Sequence, residues 1–219
     1  MKILFLLILI YLHGSSCLAQ DKPKSQYIYK KDTAAYREII DEYWDPNKNV
    51  TMIIKVSSSW GSFFWFFEKE IKEETRVGQP SDTLTIKYHN LYAYLMLEDH
   101  GGLVQVAKFQ DFGNEVYFPE FQYPYCLVDD ADNDGVPEFY LTYFGLSDGL
   151  DEKPLKLIIY SSKNIIHSAY VKSKATAWYP GGNEDYSYHI EYDANWHKLQ
   201  KSIQVRGMKI LNEIKNEQI

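Results

Sequence analysis

The sequence predicts a mainly β fold of the α+β class: a single antiparallel sheet or sandwich-like domain with one N-terminal and one C-terminal helix. Three observations predict it. Short apolar and aromatic runs alternate with turn residues from residue 50 to residue 192, the texture of antiparallel strands. Apolar residues at helical spacing are confined to the two ends of the chain. About two hundred residues rich in aromatics suffice for one core, and no fixed-period repeat points to a propeller or solenoid.

Taken in order, the chain opens with Lys2 and the apolar run Ile3 to Leu12, the n-region and h-region of a signal peptide over residues 1–19. That run is too short to span a bilayer as a helix. Cys17-Leu18-Ala19 offers small residues at the −3 and −1 positions of a cleavage site, leaving Gln20 as the mature N-terminus. A second reading makes Cys17 the acylated residue of a lipoprotein; Gly14, where an aliphatic residue is preferred, weakens it. Either route places the protein outside the cytoplasm, in the periplasm or at the cell surface. Residues 20–31 are polar and lysine-bearing and read as a flexible leader, with one domain over 32–219.

Asp32 can cap a helix in which Ala35, Tyr36, Ile39, Ile40 and Tyr43 recur at helical spacing until Pro46 and Asn47 end it. Strands follow at 50–56, 62–71, 83–88, 91–97 and 103–109, separated by Gly78-Gln79-Pro80, His89-Asn90 and His100-Gly101-Gly102. Segments 91–97 and 103–109 read as a hairpin. In the second of these strands to be named, Phe64 and Phe66 point one way and Phe63, Trp65 and Phe67 the other. Two apolar faces mean a central strand buried on both sides. Further strands are predicted at 123–128, 137–144, 155–160, 165–171 and 186–192, with a loop around Tyr179-Pro180-Gly181-Gly182. A helix from about Asn195 carries Trp196, Leu199, Ile203, Met208, Leu211 and Ile214 along one side, with Gly207 weakening its middle.

Charge narrows the partners. Lys and Arg number 23 against 30 Asp and Glu, a net charge of −7 that becomes −8 once Lys2 leaves with the signal segment. This balance argues against nucleic acid and anionic membrane surfaces. With cleavage after Ala19, Cys126 is the one remaining cysteine, so no intramolecular disulfide forms. Its apolar neighbours Tyr125, Leu127 and Val128 read as a buried small hydrophobe.

The stretch whose spacing demands a chemical partner is 130–138, DADNDGVPE. Asp130, Asp132 and Asp134 hold positions 1, 3 and 5, and Gly135 at position 6 supplies the sharp turn. The Val136 carbonyl and the Glu138 carboxylate complete an oxygen cage that suits calcium better than magnesium. Asp129 adds a further charge just outside. An acidic hairpin turn would need only Asp134-Gly135, whereas the spaced Asp130, Asp132 and Glu138 go beyond a turn's needs. Leu141 stands where an EF-hand needs a bidentate Glu, and the flanks are strand-like, so the arrangement is strand, calcium loop, strand.

The loop resembles the D-x-D-x-D-G-x-x-[DE] loops that connect strands in integrin-type β-repeat proteins. The wider segment Phe118 to Tyr160 resembles a family of exported Bacteroidota proteins called surface polysaccharide biosynthesis proteins. The matching parts are 121–128, Asp130 to Glu138, 139–144, Ser147-Asp148 and 155–160. The chain departs from that pattern at Gly145-Leu146 and over 149–153. The resemblance implies involvement with envelope glycan and no reaction; a separate reading makes the protein an assembly partner in an export complex of the envelope.

Candidate chemistry is thin elsewhere. Asp111-Phe112-Gly113 spells a kinase tripeptide without the other kinase motifs. His89, His100, His167, His189 and His197 lack zinc spacing. Neither a nucleophile elbow nor an activated cysteine is present. The expectation is therefore a non-enzymatic binding or scaffolding protein. The alternative is a glycan-processing enzyme using Asp148, Asp151 or Glu152 of the 148–152 loop, against the plainer reading of a solvated acidic loop. Trp178, Tyr179 and Tyr186 are the aromatics best placed for glycan contact, and packing is the expected role even for these.

Overall fold

The apolar residues between 50 and 179 sort by strand parity onto two sheets, and the two helices cover the sheets' outer faces. The computed structural model describes residues 22–77, 83–162, 170–181 and 187–218. The signal segment, Cys17, Gln20, the 78–80 turn, His167, Gly182 and Tyr186 lie outside the described residues.

The first sheet is an antiparallel meander of β1 (Lys24–Tyr29), β2 (Val50–Ser58), β3 (Gly61–Val77), β4 (Thr83–Asp99) and β5 (Gly102–Phe112), in that spatial order. Helix α1 (Thr33–Tyr43) connects β1 to β2. The second sheet holds β6 (Tyr117–Phe121), β7 (Leu127–Asp129), β8 (Glu138–Ser147), β9 (Lys153–Ser161), β10 (Val171–Tyr179) and β11 (His189–Tyr192). Its order is β11-β10-β9-β8-β6, with β7 also pairing with β8. Helix α2 (Lys201–Gln218) follows. Among the described residues no helix is long and apolar enough to cross a membrane.

Four layers result. Phe63, Trp65 and Phe67 of β3 meet Phe139, Leu141 and Tyr143 of β8 between the sheets. Phe64 and Phe66 turn outward against Tyr36, Ile39 and Ile40 of α1. On the far side Leu155, Leu157 and Ile159 of β9 pack under Trp196, Ile203, Ile210, Leu211 and Ile214. Period-2 alternation thus serves both faces of each central strand, as predicted for 62–71.

Several sequence expectations are corrected. The leader 20–31 contains β1, an edge strand paired in register from Lys24↔Ser57 to Tyr29↔Met52. Backbone pairing stabilises it, and only Ile28 is buried, so its side chains carry little strand signal. His89-Asn90 is no turn: β4 runs 17 residues straight through it. His89 Nε2 lies 2.6 Å from the Pro119 carbonyl, and Asn90 bonds Glu70 and the Gly113 N–H, so both polar residues are satisfied in mid-strand. Segment 123–128 is a 3₁₀ turn at Tyr123–Tyr125 followed by the three-residue β7, because Pro124 cannot donate to a ladder. Strand β6 was hidden by Pro119. Most of segment 165–171 lies outside the described residues, and the strand found there, β10, starts at Val171 and takes in Trp178 and Tyr179. The final helix begins at Lys201, after a 3₁₀ turn at Trp196–Lys198. The β4–β5 hairpin stands as predicted, with His100 and Gly101 at φ of 51° and 80° in its two-residue turn.

Gly207 has a packing reason. A Cβ there would sit 2.7 Å from Trp196 Cη2, 3.1 Å from Ile159 Cδ1 and 3.3 Å from Leu157 Cδ2. Glycine lets α2 approach the sheet closely, at some cost in helix propensity. Gly207→Ala recovers about 1 kcal/mol of propensity and incurs roughly 1–3 kcal/mol of overpacking. The expected net is a loss of about 1 kcal/mol, or about 2–4 °C in Tm for a chain of this size. A rise in Tm on thermal melting would show that α2 is free to back away.

Candidate metal centre

The register pair Asp129↔Glu138 closes β7 against β8, and residues 130–137 form the loop between them. Asp130, Asp132, Asp134 and Glu138 converge inside it: one ligand oxygen from each lies within 4.8 Å of all the others. This group of four can hold a metal ion. The sequence placed these acids together, and strand–loop–strand is the arrangement found.

The backbone explains the convergence. Asn133 and Gly135 adopt φ of 58° and 81°, two left-handed residues within three positions. Glycine bears that conformation without penalty, and asparagine is among the side chains most tolerant of it. Asp130 Oδ2 accepts from the Gly135 N–H at 3.1 Å, Asp134 Oδ1 from the Val136 N–H at 2.8 Å, and Asp132 Oδ1 from the Asp134 N–H at 3.3 Å. Glu138 Oε2 accepts from the Ala131 N–H at 2.8 Å. Each carboxylate is fixed by a backbone donor and keeps a lone pair for an ion. Val136 is buried, its N–H held by Asp134. Its carbonyl is the expected position-7 ligand.

Burial makes the arrangement costly without a cation. Asp130 is 4% exposed and Glu138 1% exposed. Asp130 Oδ1 is buried with no hydrogen-bond partner. An unpartnered buried carboxylate oxygen pays its desolvation penalty uncompensated. Burial pushes the Glu138 carboxyl up to about 9; the Ala131 N–H opposes this, and the charges of Asp132, Asp130 and Asp134 add to it. Burial, then the neighbouring Asp134, also raises Asp132. A divalent ion would reverse both effects.

Asp129 stands apart from this group. Its Oδ2 lies 2.8 Å from Arg206 Nε of α2, an ion pair off the hydrogen-bond direction, and its Oδ1 accepts from the Asp130 N–H at 3.0 Å. Sequence reasoning missed Arg206, which lies 77 residues beyond its partner with no local pattern to link them. Through this pair α2 is tied to the strand that enters the loop.

The other candidates are placed as follows. Asp148 and Asp151 are exposed, and Glu152 Oε1 lies 3.6 Å from His189 Nδ1. Lys153 pins that hairpin loop by donating to the Ser147 carbonyl at 2.9 Å and the Gly149 carbonyl at 2.6 Å. Trp178 stacks beside His189, and Tyr179 is buried edge-on against Phe144 and Tyr188. Cys126 is fully buried, its thiol pushed up to about 12 by burial. Asp111 accepts from Tyr117 Oη at 2.9 Å and pairs with Lys156 at 3.3 Å.

Fold and loop define a class: a two-sheet β domain flanked by helices, with an acidic hairpin loop able to hold a metal ion. No protein-family model, curated protein or solved structure matches the chain.

Proposed function

We propose that this is an exported cell-envelope protein in which a calcium ion fixes the β7–β8 connection and so rigidifies a binding or scaffolding surface, without itself catalysing a reaction. The observation that carries the metal is the buried, unpartnered Asp130 Oδ1 beside three further carboxylates within 4.8 Å. The choice of calcium rests on the number of oxygen ligands the loop offers, four carboxylates and the Val136 carbonyl, where magnesium keeps several waters. The signal-like segment 1–19 supports export, and the resemblance over Phe118 to Tyr160 supports a place in surface polysaccharide biosynthesis, with an envelope glycan or assembly protein as partner.

Calorimetric titration tests the metal. The expected result is one calcium per chain, not displaced by a tenfold excess of magnesium. Binding should be lost in Asp132→Asn/Asp134→Asn. Wild-type protein that takes up no calcium would remove the loop as a metal site. Envelope role and partner are tested separately, by recovering the protein from envelope fractions and by pull-down in calcium against chelator.

A further inference from the structure

A second concentration of negative charge lies on the outer face of the first sheet, where α1 ends. A shallow recess of about 480 Å³ opens there, lined by Tyr43, Trp44, Asp45, Lys48, Glu68 and Tyr94, with Glu42 at its rim. Glu68, on β3, is 2% exposed, and its Oε2 has no hydrogen-bond partner. Its Oε1 lies 3.5 Å from Lys48 Nζ, beyond good hydrogen-bond length, and the Lys48 side chain is 47% exposed. Among the described residues this buried carboxylate pairs with one cation, Lys48, and holds it loosely.

Several features around it favour positive charge. Tyr43 and Trp44, at the C-terminal end of α1, line the recess, and the last turn of that helix holds no basic residue. Glu42 and Asp45 add negative charge. The walls are rings held rigid by packing. Trp44 stacks on Phe66 at 4.3 Å and 13°, Trp44 meets Tyr94 at 5.1 Å, and Tyr43 leans on Phe64 at 5.1 Å. Tyr94 already receives one ammonium, Lys108 Nζ, 5.4 Å from its centroid. A metal ion is the poorer fit. Among the described residues, the group of metal-ligating side chains that converges is the one in the 130–138 loop, and the acids here do not join into such a group.

We propose that this recess binds a small organic cation, a primary ammonium borne on a ring or a short chain. Glu68 is its counter-ion, the Trp44, Tyr43 and Tyr94 rings flank its carbon frame, and Lys48 swings out to admit it. This inference does not depend on the calcium loop.

Lys48 is the built-in stand-in for the ligand, and its removal provides the test. Lys48→Met keeps the stem and deletes the ammonium, so it should melt below the wild type at neutral pH. Millimolar n-butylammonium or glucosamine should restore at least half of that loss, saturably. Equal concentrations of KCl or N-acetylglucosamine should not, and a stronger effect of glucosamine than of n-butylammonium would show that a sugar ring adds contacts. The rescue should vanish in Lys48→Met/Glu68→Gln. The wild type is titrated in parallel by NMR, where the Trp44 indole N–H resonance should move with glucosamine and stay still with the N-acetyl sugar, whatever the variants' stability. Rescue no larger than that by KCl, rescue that persists without Glu68, or an unmoved indole resonance would each overturn the assignment.

Discussion

Saturating calcium should raise the melting temperature of the metal-free protein by roughly 8–16 °C, and chelator should return it. The estimate is mass action: an ion at about a thousand times its Kd stabilises the folded state by about 4 kcal/mol. Each kcal/mol is worth about 2–4 °C in a chain of this length. The site is built for such a linkage, because the unfolded chain does not hold four carboxylates within 4.8 Å of one another. In Asp132→Asn/Asp134→Asn the calcium shift should shrink to a degree or two. The metal-free double mutant should melt no lower than the metal-free wild type, since it loses two repelling charges and keeps the loop's shape. That second sign separates a lost ligand from a damaged loop. Identical wild-type melts in calcium and in chelator would leave residues 130–138 an ordinary turn.

How far the sequence reveals this architecture depends on which atoms do the stabilising. Where side chains decide, the reading is direct. Five aromatics from Phe63 to Phe67 require two apolar neighbours, and the second sheet and α1 are those neighbours. The D-x-D-x-D-G-x-x-E spacing demands convergence, and the loop converges. Where backbone pairing decides, the sequence is quiet: β1 is held by its ladder to β2 while most of its side chains face water. Long-range polar contacts are invisible for a different reason. His89 and Asn90 look like turn formers because the Pro119 carbonyl, Glu70 and Gly113 that satisfy them are not sequence neighbours. Glu68 and Gly207 teach the same lesson. Glu68 draws no notice in the sequence and is buried, while Gly207 reads as a weak point and owes its place to residues packed against it from elsewhere in the chain.

The position of the loop also bears on what calcium would rigidify. Glu138 is both the last acid of the cluster and the first residue of β8, the strand that pairs with β6, β7 and β9. Asp129, just before the loop, holds Arg206 of α2. An ion bound here would therefore stiffen one end of the second sheet and the helix above it, rather than an isolated surface turn. Hydrogen exchange at Ala131, Gly135 and Val136, whose N–H groups donate to the loop's acids, is where such stiffening would register first.

The fall of stability with rising pH should be marked without metal and largely absent with it. In the metal-free fold, burial pushes Glu138 up to about 9, so the folded chain keeps a proton that the unfolded chain releases near its ordinary carboxylate value. Folded-state proton uptake makes this contribution full below about pH 4.3 and erodes it steadily as pH rises toward about 9. Calcium requires the ionised carboxylate, so binding releases the proton and tightens as pH rises over the same window. Melts of metal-free and calcium-loaded protein at about pH 5, 7 and 9 should therefore diverge, the calcium shift being smallest at the acid end and largest at the alkaline end. Glu138→Gln isolates the group. Its amide keeps an acceptor for the Ala131 N–H and carries no charge to bury, so above about pH 7 the metal-free variant should melt higher than the metal-free wild type while losing most of its response to calcium. A metal-free wild type whose Tm does not fall between pH 5 and 9, or a variant that melts lower there, would mean that Glu138 is not the acid whose burial the ion offsets.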